Sequence, residues 1–103
     1  MRTVVVRYET KADRADENQR LVEKVYAELA ERRPDNFRYV TFRLEDGVSF
    51  VHIVAENEGG SNPISLTDIA AFQEFQRDVA DRCVVQPVAT GASVVGSHRF
   101  LPE

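Results

Sequence analysis

Residues 37–56 read FRYVTFRLEDGVSFVHIVAE. Phe37–Glu45 and Val48–Glu56 are rich in β-branched and aromatic residues, and Asp46-Gly47 between them best suits a two-residue type I′ turn, so the stretch predicts an antiparallel hairpin. Pairing Glu45 with Val48 sets the register: Arg43 lies opposite Phe50, Thr41 opposite His52, Tyr39 opposite Val54, Phe42 opposite Val51 and Val40 opposite Ile53. Directly opposed residues share a face, because side chains alternate with period two. One face therefore carries Val40, Phe42, Leu44, Val51, Ile53 and Ala55, and its apolar character predicts that the helices pack there. The other carries Phe37, Tyr39, Thr41, Arg43, Phe50, His52 and Val54, too apolar for plain exposure and too polar for an ordinary core. This mixed face is expected on the open side of the sheet.

Before the hairpin, Thr3–Glu9 is β-branched and reads as a strand. From Asp13 to Arg33 the period changes. Leu21, Val22, Val25, Tyr26, Leu29 and Ala30 recur at intervals of three and four, the stripe of an amphipathic helix. Asp13 is the expected cap, Asp16 and Glu17 suit the positive end of the helix dipole, Arg32 and Arg33 the negative end, and Pro34 stops the helix. After the hairpin, Asn57–Pro63 contains Gly59-Gly60-Ser61-Asn62-Pro63 and is expected to be the most flexible stretch. Ser65 then caps a second helix, with Ile69, Phe72, Phe75 and Val79 as its stripe. Val84–Phe100 reads as a last strand, bent or bulged by Pro87, Gly91 and Gly96.

The chain has 103 residues, 43% of them hydrophobic and 29% charged, which predicts one ordered domain, residues 1–103. A formal charge of −4 argues against general nucleic-acid binding, which rests on Lys and Arg neutralising phosphates. A single cysteine, Cys83, makes no internal disulfide and requires no oxidising compartment. The apolar run Val4–Val6 is cut off by Arg7, too short for a signal-peptide core or a membrane span, so the expectation is a cytoplasmic protein without membrane contact.

Strand, helix, strand, strand, helix, strand is the order of the α+β, ferredoxin-like βαββαβ fold: a four-stranded antiparallel sheet with two helices on one face. Its uncovered face needs a partner, and a homodimer joined sheet to sheet covers it most simply. With this layout and the tail Val94-Val95-Gly96-Ser97-His98-Arg99-Phe100, the chain resembles the dimeric α/β-barrel proteins, and among them the antibiotic-biosynthesis-monooxygenase-like family. The resemblance implies a fold and a dimer. It also points toward cofactor-independent oxygenases of quinols or haem-degrading enzymes, with the ligand between sheet and helices. The chain has no tryptophan, a residue both oxygenase types commonly place in the pocket, so no catalytic set is carried over.

His52, central in its strand, is the candidate proton carrier near neutral pH, and Arg43 on the same face is the candidate to stabilise developing negative charge. Tyr39, Thr41 and Phe50 are the expected lining of a pocket for a small aromatic ligand. The reading is a cofactor-independent monooxygenase or related enzyme, and its alternative is a non-catalytic ligand-binding or interaction dimer. An enzyme would place His52 beside a cavity of roughly 300 Å³ or more, whereas an interface would close over it. His98 and His52 have no third ligand at a suitable spacing, so neither a metal nor a cofactor is expected. Cys83 beside Arg82 lacks the base a nucleophile needs. RNA recognition by this fold uses a basic residue and aromatics on the third strand, where Asp46, Val48 and Ile53 stand instead.

Overall fold

The computed structural model describes residues 2–101. The elements follow as β1 (Arg2–Thr10), α1 (Ala15–Arg32), β2 (Phe37–Arg43), β3 (Ser49–Glu56), α2 (Ala70–Arg77), a short α3 (Val79–Arg82) and β4 (Cys83–Ala92). All strand pairs are antiparallel and the sheet order is β2-β3-β1-β4, the ferredoxin-like arrangement.

The hairpin has the register read from the sequence, with Thr41 opposite His52 and Tyr39 opposite Val54. Its turn is different. A type I′ turn needs positive φ at both central residues, and here Gly47 has φ 78° while Asp46 does not. The Asp46 carboxylate instead accepts from the Val48 and Ser49 amides, at 3.0 and 2.8 Å, and from the Ser49 hydroxyl. The strands close at Leu44 N–H to Ser49 O, 2.9 Å, so the loop is residues 45–48. Both turns are centred on the same point, which is why the register is the same.

The two faces of the sheet are reversed from the expectation. Phe50 and His52 are buried beneath the helices together with Tyr8 of β1, in a core shared with Val22 and Val25 of α1 and Phe75 of α2. Val40, Phe42, Val51 and Ile53 point the other way and are only half-buried. Apolar content alone suggested the opposite because the polar atoms of the mixed face find their partners on distant elements, which removes the cost of burying them.

The first helix is preceded by a 3-10 turn, Ala12–Arg14, that contains Asp13, and no side chain caps its start. It ends where Arg33 turns left-handed, at φ 51°, and donates its N–H to Leu29 O. Ser65 precedes a second 3-10 turn and likewise makes no capping bond. The cap of α2 comes from α1, where the Glu28 carboxylate accepts from the Ala70 and Ala71 amides at 3.2 and 2.9 Å. Those bonds hold the Glu28 carboxyl below the usual range.

The glycine-rich loop is tied down rather than loose. Asp35 accepts from Ser61 N–H, Ser61 O–H and Asn62 N–H, and the Asn62 amide donates to the carbonyls of Arg32 and Arg33 at the end of α1. Gly60, at φ 104°, lies so close to the Asp35 carboxylate that no Cβ fits. The last strand is shorter than expected. Its register with β1 shifts between Arg7 and Glu9, as Pro87 foretold, and it ends at Ala92. Ser93–Leu101 leaves the sheet and brings Phe100 to within 6.2 Å of Phe42, ring centroid to centroid, on the open face.

Candidate functional site

Alternation along β1 and β3 turns Tyr8, Phe50 and His52 to the same side, under α1 and α2. His52 is 4% exposed and bonded at both ring nitrogens. Its Nε2 lies 2.8 Å from the Tyr8 hydroxyl; its Nδ1 lies 2.5 Å from the Tyr39 hydroxyl and 3.2 Å from that of Thr41. The chain of bonds extends in both directions. Thr41 meets the Tyr26 hydroxyl at 2.8 Å. Tyr8 accepts from the Asn18 amide at 2.8 Å, and Asn18 Oδ1 accepts from Arg82 Nε at 3.1 Å. Arg82, 1% exposed, also donates to the Phe75 carbonyl at 2.7 Å, and its guanidinium lies 5.3 Å from the Phe75 ring centroid.

Around these polar atoms the walls are aromatic. Tyr8 stacks on Phe50 with centroids 5.5 Å apart, Tyr26 stacks on Tyr39 at 5.1 Å, and the His52 ring sits 5.5 Å from Phe75. Burial holds the imidazole down to about 4, so it is neutral at pH 7. Burial likewise raises the phenols of Tyr8 and Tyr39 above their ordinary range, so both keep their protons. For Tyr8, the Asn18 bond and the Arg82 charge pull the other way without overcoming it.

A cavity of about 120 Å³ opens beside His52 and Tyr39, between the sheet and α2. Val6, Val54, Leu66, Phe72 and Val79 make most of its wall apolar. It is of the order of a void that holds one benzene ring, and it falls short of the roughly 300 Å³ or more expected from the sequence for an enzyme's pocket beside His52.

Of the residues singled out from sequence, the structure brings Tyr39 and His52 together at this cavity. Thr41 reaches His52 by its hydroxyl but lines a second cavity of about 250 Å³ beneath α1, along with Phe50 and Arg43. Arg43 does not reach the His52 cavity. Its guanidinium donates to Asp16, Gln19 and the Gly47 carbonyl, and it lies 5.6 Å from the Phe50 ring centroid. His98 is exposed beyond β4. Cys83 is buried, and burial pushes its thiol up against the opposing charge of Arg82.

Four members of the network escape sequence reasoning: Tyr8, Asn18, Tyr26 and Arg82. Asn18 carried a legible signal, a polar residue at i−4 from Val22 on the apolar stripe of α1. Tyr8 shares the parity of Val4 and Val6 on β1, so the two-residue period also pointed inward there. For Arg82 nothing local signals burial, since its partners lie on other turns of the chain.

No family model matches the chain, and no curated protein matches it either. Solved structures do. SnoaB, a cofactor-independent oxygenase from Streptomyces nogalater, aligns over 99% of this chain and 97% of its own, with TM-score 0.63 and 17% identity. An antibiotic biosynthesis monooxygenase aligns over 93% and 100%, with TM-score 0.66 and 16% identity. The NE2512 protein of Nitrosomonas europaea, of unknown function, aligns over 99% and 94%, with TM-score 0.69 and 12% identity. Identity this low speaks for backbone architecture and not for chemistry. The chain has the ferredoxin-like fold of the antibiotic-biosynthesis-monooxygenase-like proteins.

Proposed function

We propose that the cavity beside His52 is the substrate site of a small-molecule enzyme, a monooxygenase that needs no cofactor and acts on a one-ring aromatic or quinol-type substrate. The observation that carries this reading is a neutral, buried histidine bonded through both ring nitrogens in the wall of an apolar cavity between sheet and helices. The shared fold with a cofactor-independent oxygenase supports it. With a quinol the substrate supplies its own electrons: dioxygen is the co-substrate, a ring C–H becomes C–OH, the quinol becomes the quinone, and the second oxygen atom leaves as water. The network of His52, Tyr8 and Tyr39 moves protons at a substrate oxygen while the apolar wall keeps bulk water out. Thr41 braces Nδ1, and Phe50 holds Tyr8 by stacking. The role expected of Arg43, a positive charge behind the reacting groups, falls to Arg82.

The functional unit is a homodimer joined through the open face, where Val40, Phe42, Val51 and Ile53 form an apolar patch beside the exposed Val88. The reading is of a cytoplasmic protein; among the described residues no helix is long and apolar enough to cross a membrane.

Oxygen uptake with a panel of one-ring quinols tests the proposal. Turnover is expected with at least one of them, falling by about a hundredfold or more in His52→Ala, the usual scale for loss of a proton-transfer group. Circular dichroism must show the variant folded. Saturable binding without oxygen uptake supports instead the non-catalytic ligand-binding dimer, the reading that the small volume of the cavity favours.

A further inference from the structure

The hydrogen bonds around His52 have a direction, and Arg82 sets it. A guanidinium donates and never accepts, so the bond from Arg82 Nε turns the oxygen of the Asn18 amide toward Arg82 and its NH₂ toward Tyr8. Tyr8 therefore accepts from Asn18, and its own proton goes to His52 Nε2 at 2.8 Å. A neutral imidazole whose Nε2 accepts carries its hydrogen on Nδ1. That hydrogen is donated to the Tyr39 oxygen at 2.5 Å, with Thr41 at 3.2 Å as a weaker second acceptor. The opposite direction would leave the Tyr8 proton, on a residue 2% exposed, with no acceptor among the described residues. Tyr39 has then accepted one bond and still holds one hydrogen. Among the described residues no hydrogen bond takes it, although the Thr41 hydroxyl is near enough to favour the Tyr39 phenolate. Tyr39 is also the network's tyrosine at the wall of the cavity on the Nδ1 side of the histidine.

We infer that Arg82 and Asn18 orient the relay so that the Tyr39 hydroxyl is the group that meets the ligand, and meets it as a donor. The cavity then takes a small apolar ring bearing an oxygen that accepts, a ketone, quinone or phenolate oxygen. A ring that offers only a hydrogen at that point is refused. Arg82 and Asn18 are positioning residues three and two links from Tyr8's far neighbour in the chain, and His52 acts through Tyr39. The same direction lets the relay give a proton. The ligand oxygen takes the Tyr39 hydrogen, Tyr39 takes that of Nδ1 and Nε2 takes that of Tyr8. The negative charge passes transiently to Tyr8, where burial opposes it and the Asn18 amide and the Arg82 cation offset part of that cost.

This inference rests on the cavity being the ligand site, as proposed above, but its test does not depend on oxygenase turnover. Nitrogen-15 NMR of the full chain reads which ring nitrogen of His52 carries the hydrogen, and titrations with acetophenone and ethylbenzene compare two ligands of like shape that differ in one accepting oxygen. The expected results are the Nδ1–H tautomer and about five- to tenfold tighter binding of acetophenone, the worth of one buried hydrogen bond. Tyr39→Phe is expected to abolish the preference. Asn18→Asp is the decisive variant. Its carboxylate still accepts from Arg82 but now forces Tyr8 to donate to it, so the imidazole flips to the Nε2–H tautomer, Tyr39 donates its hydrogen to Nδ1 and has only a lone pair for the cavity, and the acetophenone preference is lost. An Nε2–H tautomer in the unaltered protein, equal affinities for the two ligands, no binding of either, or an unchanged tautomer in Asn18→Asp would each overturn the inference. Selectivity that behaves as expected without any oxygen uptake would sink the oxygenase reading and leave this one standing.

Discussion

The two faces of one sheet solve the same problem in opposite ways. The covered face buries His52, Tyr8 and Thr10 and satisfies each of them: Tyr8 through Asn18, itself held by Arg82, His52 through Tyr8 and Tyr39, and Thr10 through the Val48 carbonyl. The open face carries Val40, Phe42, Val51 and Ile53 with nothing from the helices over them. Hydrophobicity would have placed the helices on the second face. Burial followed hydrogen-bond completeness instead: a polar group whose partners are all supplied can be covered at little cost, and an aromatic wall of Tyr8, Phe50 and Phe75 supplies the apolar area. What is left outside is an apolar, half-buried surface, the kind on which the proposed self-association would rest.

The covered face is most vulnerable at its most deeply buried charge, Arg82. Arg82→Ala strips Asn18 and the Phe75 carbonyl of their donor and leaves a void, and is expected to destabilise the fold by about 3 kcal/mol or more in urea unfolding. A loss below about 1 kcal/mol would mean that the network does not hold the covered face together.

Acid probes the same face without mutation. His52 titrates near 6.5 in an unfolded chain and at about 4 in the folded one, so between those values the unfolded chain binds more protons. Its contribution is fully present above pH 6.5 and is lost as the pH falls toward 4, a total of about 3 kcal/mol. His52→Gln is expected to flatten that limb of the stability profile, and a wild-type profile with no slope there would place the histidine in water.

The open face should respond in the opposite sense. Ile53→Lys is expected to weaken self-association by about tenfold or more in light scattering while changing the unfolding free energy of the monomer by less than about 1 kcal/mol. A monomeric wild type at micromolar concentration, or an Ile53→Lys monomer that unfolds as readily as Arg82→Ala, would erase the distinction between the faces.

The order of elements, the helix stripe of α1 and the hairpin register were determined by sequence alone. Each rests on local periodicity or on a turn centred between neighbouring strands, and Asp46-Gly47 kept that centre even when the turn took a different form. Alternation also settled that Tyr39, Thr41, Arg43, Phe50 and His52 share a side, but a period of two says nothing about which side the helices take. That choice, and with it which residues gather at the candidate site, belonged to the tertiary structure. Tyr8 lies 44 residues from His52, and Arg82 lies 64 from Asn18. No local pattern can report that a buried histidine will find a tyrosine on another strand, or that an arginine after the second helix will point the whole chain of hydrogen bonds toward Tyr39.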